Sequence, residues 1–274
     1  MPTEELIARP APIAVPRTYQ VRFPEDDLVP QDEEWCEVLL DDRWRRFRFH
    51  DYDAIYSVPG LYERIFYRAL KCNSPRRVVG MLDGVLSDHG VSPTTLRVLD
   101  VGAGNGMVGS CLREMGVPRL IGVDIIPEAA GAAERDRPGV YDAYHIVDLT
   151  DVEAVNDCGL GRERFDAIIT VAALGFGDIP PLAFAQALAL AEPSAWVAFN
   201  IKQTFLDRRD DTGFARLIRR LIEDGTLRQH AMRRYLHRMS ASGERLFYVA
   251  MVVQKTRDLP TSLMAELEAE CAAG

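Results

Sequence analysis

Three glycines spaced two apart, Gly102, Gly104 and Gly106, follow an apolar run and an acid in the stretch LRVLDVGAGNGMVG, Leu96 to Gly109. Glycine has no side chain to stand off a ligand, so a strand that ends in such a turn and feeds a helix lets backbone N–H groups approach one closely. A dinucleotide fingerprint, G-x-G-x-x-G, would need a glycine at 107 after Gly102 and Gly104, where the chain has Met107. Asp100, at the strand's end, would repel a pyrophosphate but attract a cation. Asp124 closes the next apolar run, LIGVDII, about 20 residues beyond Gly104, the place from which an acid accepts both hydroxyls of a ribose. Asp148 ends the third run, YHIVDLT, where a carboxylate and its neighbouring backbone can accept an adenine amino group, with Ile125 and Leu149 on either face of the ring. Any one such acid could equally cap a turn or a helix.

Together the acids and glycines describe a ligand with an adenosine end and a positive end, and S-adenosylmethionine has both. The elements that must hold these residues read as follows. Strands are predicted at Leu96–Val101, Leu120–Ile125, Ala143–Val147, Ala167–Val171 and Trp196–Ile201, alternating with helical stretches, the pattern of a parallel sheet covered on both faces. The helix DTGFARLIRRLIEDG then precedes LRQHAMRRYLHRM and RLFYVAMVVQKT, which suit an antiparallel pair. Ahead of the sheet, Pro2, Pro10, Pro12, Pro16, Pro24 and Pro30 make residues 1 to 30 an extended arm. Trp35–Leu40 and Trp44–Phe49 form a hairpin with one wet face, because Phe47 and Phe49 alternate with Arg46 and Arg48. GLYERIFYRALK places Leu61, Ile65, Phe66 and Ala69 at helical spacing, and PRRVVGMLDGVLSDHG is a second helix closed by Gly90. The expected division is an arm over 1–34, a hairpin and helical lid over 35–92, a core over 93–258 and a tail over 259–274.

From Leu96 to Lys202 the chain resembles the class I S-adenosylmethionine-dependent methyltransferases. VLDVGAGNG, with Asp100, Gly102, Ala103, Gly104, Asn105 and Gly106, matches their first motif; GVDI supplies the ribose acid Asp124 and VDL the adenine-side acid Asp148. FDAIITVAALG, with Val171, matches the fourth strand beneath the substrate. The resemblance implies an α/β fold, a doubly wound Rossmann-like seven-stranded sheet with an antiparallel last strand, S-adenosylmethionine as cofactor and methyl transfer as the activity. Many members that alkylate amides or nucleobases carry an Asn/Asp-Pro-Pro-Tyr type signature after the fourth strand. This chain has VAALGFGDIPP there, more similar to the members that act on small molecules and to methyltransferase-like proteins of unassigned substrate, so a small organic acceptor, methylated at oxygen, nitrogen or carbon, is expected.

Something must cover such a site, and FHDYDAIYSVPGLYERIFY is the expected lid. Its Tyr52, Tyr56 and Tyr62 could pack on the ligand or glue the N-terminal helices to the sheet. A general base is needed only if the acceptor keeps its proton, and His50, His145, His237, Asp178 and Tyr52 are the candidates, with none singled out. His145, inside a strand predicted to be central, reads as a core histidine.

The chain is 274 residues long, 47% hydrophobic and carries a formal charge of −9, which argues against a nucleic-acid binder held by phosphate neutralisation. The arginine-rich stretch from Asp207 to Arg245 is interleaved with acids and reads as solvated faces of the helix and hairpin. Five cysteines lie far apart without a C-x-x-C, which suggests reduced thiols and no metal site. No run is long and apolar enough to span a bilayer, and MPTEELIARPAPIAVP lacks the features of a secretory signal, so no membrane partner and a cytoplasmic location are expected. The rival readings are an NAD(P)-dependent oxidoreductase, disfavoured by Asp100 and Met107, and a non-catalytic nucleoside-binding protein that acts through a partner. Oligomeric state is left open.

Overall fold

A computed structural model describes residues 18–24, 29–175, 178–206 and 213–273. The first sheet is antiparallel, in the order β1 (Val21–Arg22), β2 (Trp35–Leu40), β3 (Arg43–Arg48). Asp41 and Asp42 join β2 to β3 with φ of 49° and 59°, a two-residue turn whose twist matches that of the strands. One face buries Cys36, Val38 and Phe47; on the other, the Arg46 guanidinium lies 3.8 Å over the Trp35 ring and that of Arg22 4.2 Å over Trp44. The predicted hairpin is therefore present, with one added strand. Of the predicted arm, residues 1–17 and 25–28 lie outside the described residues.

Next come α1 (Tyr52–Ser57), a π-helical turn (Glu63–Ala69) and α2 (Ser74–Asp88). The predicted helix over GLYERIFYRALK is widened: the Leu70 N–H donates to the Ile65 carbonyl, and the adjacent side chains of Ile65 and Phe66 are both buried.

The second sheet holds β4 (Arg97–Val101), β5 (Arg119–Asp124), β6 (Ala143–Ile146), β7 (Phe165–Thr170), β8 (Ala191–Lys202), β9 (Leu227–Met239) and β10 (Arg245–Lys255). Their order is β6-β5-β4-β7-β8-β10-β9, with β10 antiparallel to both its neighbours. The connecting helices are α3 (Met107–Met115), α4 (Pro127–Asp136), α5 (Val152–Asp157), α6 (Pro181–Leu190) and α7 (Phe214–Glu223), and α8 (Thr261–Ala273) follows the last strand. Alternation along β4 sends Leu99 and Val101 into a core with Phe184, Leu188 and Phe199, and Val98 into one with Leu82, Leu86 and Leu112. From β4 the chain builds outward through β5 and β6, then returns to β7 on the other side. That reversal opens a crevice at the carboxyl ends of the strands.

One expectation is corrected. His145 lies on β6, which is the sheet's edge rather than its centre, and it is only half buried. Within the stretch expected as a tail, Thr261–Ala273 form α8, whose Leu263 and Leu267 are buried; they stand four apart and so share the face packed towards α6.

The two sheets are joined by a buried ion pair. Glu34, 1% exposed, accepts from Arg238, 5% exposed, at 2.5 Å and from the Ala241 N–H at 2.5 Å.

Candidate active site

A cavity of about 480 Å³ opens at the crevice, within the usual range for small-molecule sites. Beneath it the chain leaves β4 through a turn in which Gly102 and Gly104 have φ of 69° and 52°. A Cβ on Gly102 would stand 2.8 Å from that of Ala173, and one on Gly104 would stand 2.5 Å from the Tyr56 hydroxyl, so conformation and space both demand glycine. The Gly102 and Ala103 N–H groups donate to the Val123 carbonyl, which pins the turn to the end of β5.

Asp124, the last residue of β5, lies on the cavity wall. Its carboxylate accepts from the Gly104 N–H at 2.9 Å and the Ile126 N–H at 3.1 Å. Burial raises its pKa, against the lowering effect of these N–H groups. Asp148, two residues beyond β6, accepts from the Thr150 N–H and hydroxyl, each at 2.8 Å, and lines the same cavity. Beside these acids Ile125 is 57% exposed, while Val147, Leu149 and Val171 give the cavity apolar walls.

Asp100 is placed differently from the expectation that it faces the ligand's positive end. It is 0% exposed and absent from the cavity wall; its Oδ2 accepts from the Tyr141 hydroxyl at 2.7 Å, and its Oδ1 has no partner among the described residues. Tyr141 and Tyr144 support the turn from behind, their hydroxyls reaching the carbonyls of Ala103 at 3.3 Å and Gly104 at 2.9 Å. Burial pushes the Asp100 carboxyl up to about 7. Because that lies above the carboxyl's unfolded value, the folded chain holds a proton that the unfolded chain releases. The stabilisation is complete below about pH 4 and is lost as pH rises through about 7. Asp100→Asn keeps an acceptor for Tyr141 without the charge. Wild type should therefore lose on the order of 2 kcal/mol relative to this variant between about pH 5 and pH 8. Parallel pH profiles of thermal unfolding would refute it.

The remaining predicted residues divide plainly. Tyr52, Tyr56, Gly102, Asp124, Ile125, Asp148, Leu149 and Val171 share the cavity wall, whereas Ala103, Gly104, Asn105 and Gly106 lie behind it. Buried Asn105 reaches Asp136 at 3.4 Å, and its carbonyl accepts from Arg137, which also holds Glu63 of the π-helical turn at 2.6 Å. The glycine turn is thus tied to the cover above it. That cover is a tyrosine stack, Tyr52 to Tyr56 at 6.2 Å and Tyr56 to Tyr62 at 4.8 Å between ring centres, docked on Ala129 and Ala132 of α4. With Tyr56 over Gly104, a ligand entering the turn must settle against α1. Amide exchange across residues 52–67 is expected to slow by tenfold or more with S-adenosylhomocysteine, and unchanged protection would remove the lid.

Of the five candidate bases, three come together. His50 Nδ1 lies 3.1 Å from Asp178 Oδ1, and the Tyr52 hydroxyl lies 3.5 Å from Asp178 Oδ2, all on the cavity wall. His145 is not on that wall, and buried His237 is held by Ser74 at 2.6 Å in a smaller adjoining chamber. Sequence reading missed Ile126 and Thr150, which follow the strand-ending acids and carried the same signal, and Ala172, Ile179 and Pro180, which follow β7. Cys271 of α8 also lines the cavity, and nothing in its sequence context marks it.

Among the described residues no cluster of His, Cys, Asp or Glu could hold a metal ion, and no helix is long and apolar enough to cross a membrane. A family profile described as a methyltransferase domain matches residues 48–244. No curated protein matches the chain. Among solved structures it is similar to the N-methyltransferase NodS from Bradyrhizobium japonicum WM9, in complex with S-adenosyl-L-homocysteine, at 14% identity and a TM-score of 0.48 over 76% of this chain and 98% of that one. It is similar to magnesium protoporphyrin IX methyltransferase from Synechocystis PCC 6803, with bound S-adenosylmethionine, at 16% and 0.45 over 65% and 78%. Ribosomal protein L11 methylase from Lactobacillus delbrueckii subsp. bulgaricus matches at 19% and 0.44 over 65% and 77%.

Proposed function

The chain belongs to the methyltransferase-domain family and is an S-adenosylmethionine-dependent enzyme, and from that premise we propose that it methylates a small organic acceptor in the cavity at the carboxyl ends of β4, β5 and β7. The observation that carries this reading is the juxtaposition of Asp124 and Asp148 on one wall, with the half-exposed apolar Ile125 beside them. In this reading Asp124 accepts from the ribose hydroxyls, Asp148 and the Leu149 backbone meet the adenine edge, and Ile125 and Leu149 cover its faces. Val171 forms the floor. Gly102, Ala103, Gly104, Asn105 and Gly106 make the turn beside the amino-acid end, which Asp100 steadies through Tyr141. Tyr52 and Tyr56 close the site from above.

Bound there, S-adenosylmethionine supplies a methyl group on a sulfonium, an excellent leaving group. The protein's own contribution is then to align the acceptor and exclude water, which the tyrosine cover is placed to do. We assign 1–34 as an arm, 35–92 as the hairpin and lid, 93–258 as the core and 259–274 as a tail whose helix helps wall the cavity. The acidic composition and the tyrosine stack over the cavity favour a small acceptor over nucleic acid, and we assign the protein to the cytoplasm. Transfer of label from S-[methyl-14C]adenosylmethionine to a small molecule in a metabolite extract, with none to added RNA, is the expected result. Tight NADH binding without S-adenosylhomocysteine binding would restore the oxidoreductase reading.

A further inference from the structure

Resting on that reading, we propose that the acceptor is a primary or secondary amine and that Asp178 selects it, by receiving the positive charge that methyl transfer delivers to nitrogen. The charges around the cavity point this way. Among the described residues that line it are three carboxylates, those of Asp124, Asp148 and Asp178, and neither a lysine nor an arginine. An acceptor that is itself a carboxylate or a phosphate would enter against like charge.

The three acids are not equivalent. In the strand order β6-β5-β4-β7, Asp124 ends β5 and Asp148 follows β6, on one side of β4, whereas Asp178 follows β7 on the other. With the nucleoside held by the first pair, Asp178 stands on the acceptor's side of the crevice. Its position is set from the cover: His50 Nδ1 donates to its Oδ1 at 3.1 Å and the Tyr52 hydroxyl to its Oδ2 at 3.5 Å. A carboxylate has about four lone-pair sites and these contacts use one on each oxygen, so both oxygens keep a site for an incoming N–H. The Asp178 side chain is 24% exposed, partly withdrawn from water yet open to the cavity. Tyr52, Tyr56 and Tyr62 line the same cavity, and tyrosine rings attract a cation through their faces. Burial raises the pKa of all three, so the rings stay neutral. In the adjoining chamber of about 40 Å³ the charge of Arg238 is engaged by Glu34.

Methyl transfer moves a charge as well as a group. The amine gives up any extra proton to solvent before it reacts, and its nitrogen lone pair forms the new N–CH3 bond as the methyl–sulfur bond breaks, that bond's electron pair remaining on sulfur. Sulfur ends neutral, and nitrogen ends positive with at least one N–H, which donates to Asp178. The carboxylate interacts more strongly as the charge arrives, so it favours the transition state over the neutral amine. A hydroxyl acceptor sheds its proton and ends neutral, leaving Asp178 no charge to hold.

The test uses benzylamine, whose ring suits the tyrosine wall, and benzyl alcohol, its hydroxyl counterpart of similar size, with the full chain loaded with S-adenosylhomocysteine. Neutral sulfur beside benzylammonium reproduces the charges that stand after transfer. In calorimetry, wild type should bind benzylamine at least tenfold more tightly than benzyl alcohol, and Asp178→Asn should remove that preference while binding S-adenosylhomocysteine within about threefold of wild type. With S-[methyl-14C]adenosylmethionine, wild type should label benzylamine; Asp178→Asn should lower kcat by about tenfold to a hundredfold with little change in the KM for S-adenosylmethionine, and Asp178→Glu should recover part of it. Wild type that binds the two probes equally, or that neither binds nor labels benzylamine, would overturn the proposal while leaving the methyltransferase site standing. So would an amine preference that survives in Asp178→Asn, or benzyl alcohol labelled as fast as benzylamine. Failure of wild type to bind S-adenosylhomocysteine would instead overturn the site reading, and this proposal with it.

Discussion

Asp124→Ala is expected to weaken S-adenosylhomocysteine binding by about 1.5 to 3 kcal/mol, roughly tenfold to a hundredfold in Kd. The effect has two sources in the geometry. The carboxylate that would accept the ribose hydroxyls is lost, and so is the acceptor for the Gly104 and Ile126 N–H groups, which fixes the glycine turn against the end of β5. Titration with adenosine separates these. The ribose contact is common to both ligands, so adenosine should lose nearly as much as S-adenosylhomocysteine. A loss seen with S-adenosylhomocysteine alone would move Asp124 to the amino-acid end of the site.

Glu34→Ala should be the most destabilising of the substitutions considered, by about 3 to 5 kcal/mol, because it leaves the buried Arg238 charge and the Ala241 N–H without their acceptor. In a chain of this size that is a fall in Tm on the order of 10 °C. Adding Arg238→Met removes the stranded charge, so the double variant should recover much of the loss. If the two single losses simply added, the pair would not be energetically coupled.

β4 and β5 were legible because buried parallel strands are nearly continuous apolar runs, and both begin and end within a residue of their predicted limits; the half-buried edge strand β6 also ends within a residue of its predicted limit. β8 begins earlier than predicted, at Ala191, directly where α6 ends, because AEPS carries no apolar periodicity to mark a strand. The order of strands could not be read. His145 was assigned to the interior because strand composition reports burial, not which neighbour is missing. The acids were legible as a set, but Asp100 shows the limit: a strand-end carboxylate looks the same in sequence whether it faces a ligand or stands behind the turn on a tyrosine. The meeting of His50 with Asp178, 128 residues apart, is tertiary information, so those residues could be named as candidates without being joined.

The place of β10 in the sheet sets the order in which this chain can be completed. β10 is synthesised after both of its neighbours, yet it lies between β8 and β9 and pairs with both. Until residue 255 is available, β8 keeps an open edge of apolar residues and β9 has no partner strand on the sheet. Closure is thus an insertion between elements made earlier, a non-local step of the kind that slows folding. On a ribosome, the unfinished chain exposes the template of its own completion, and in that interval a strand from another copy could pair with β8 in place of β10.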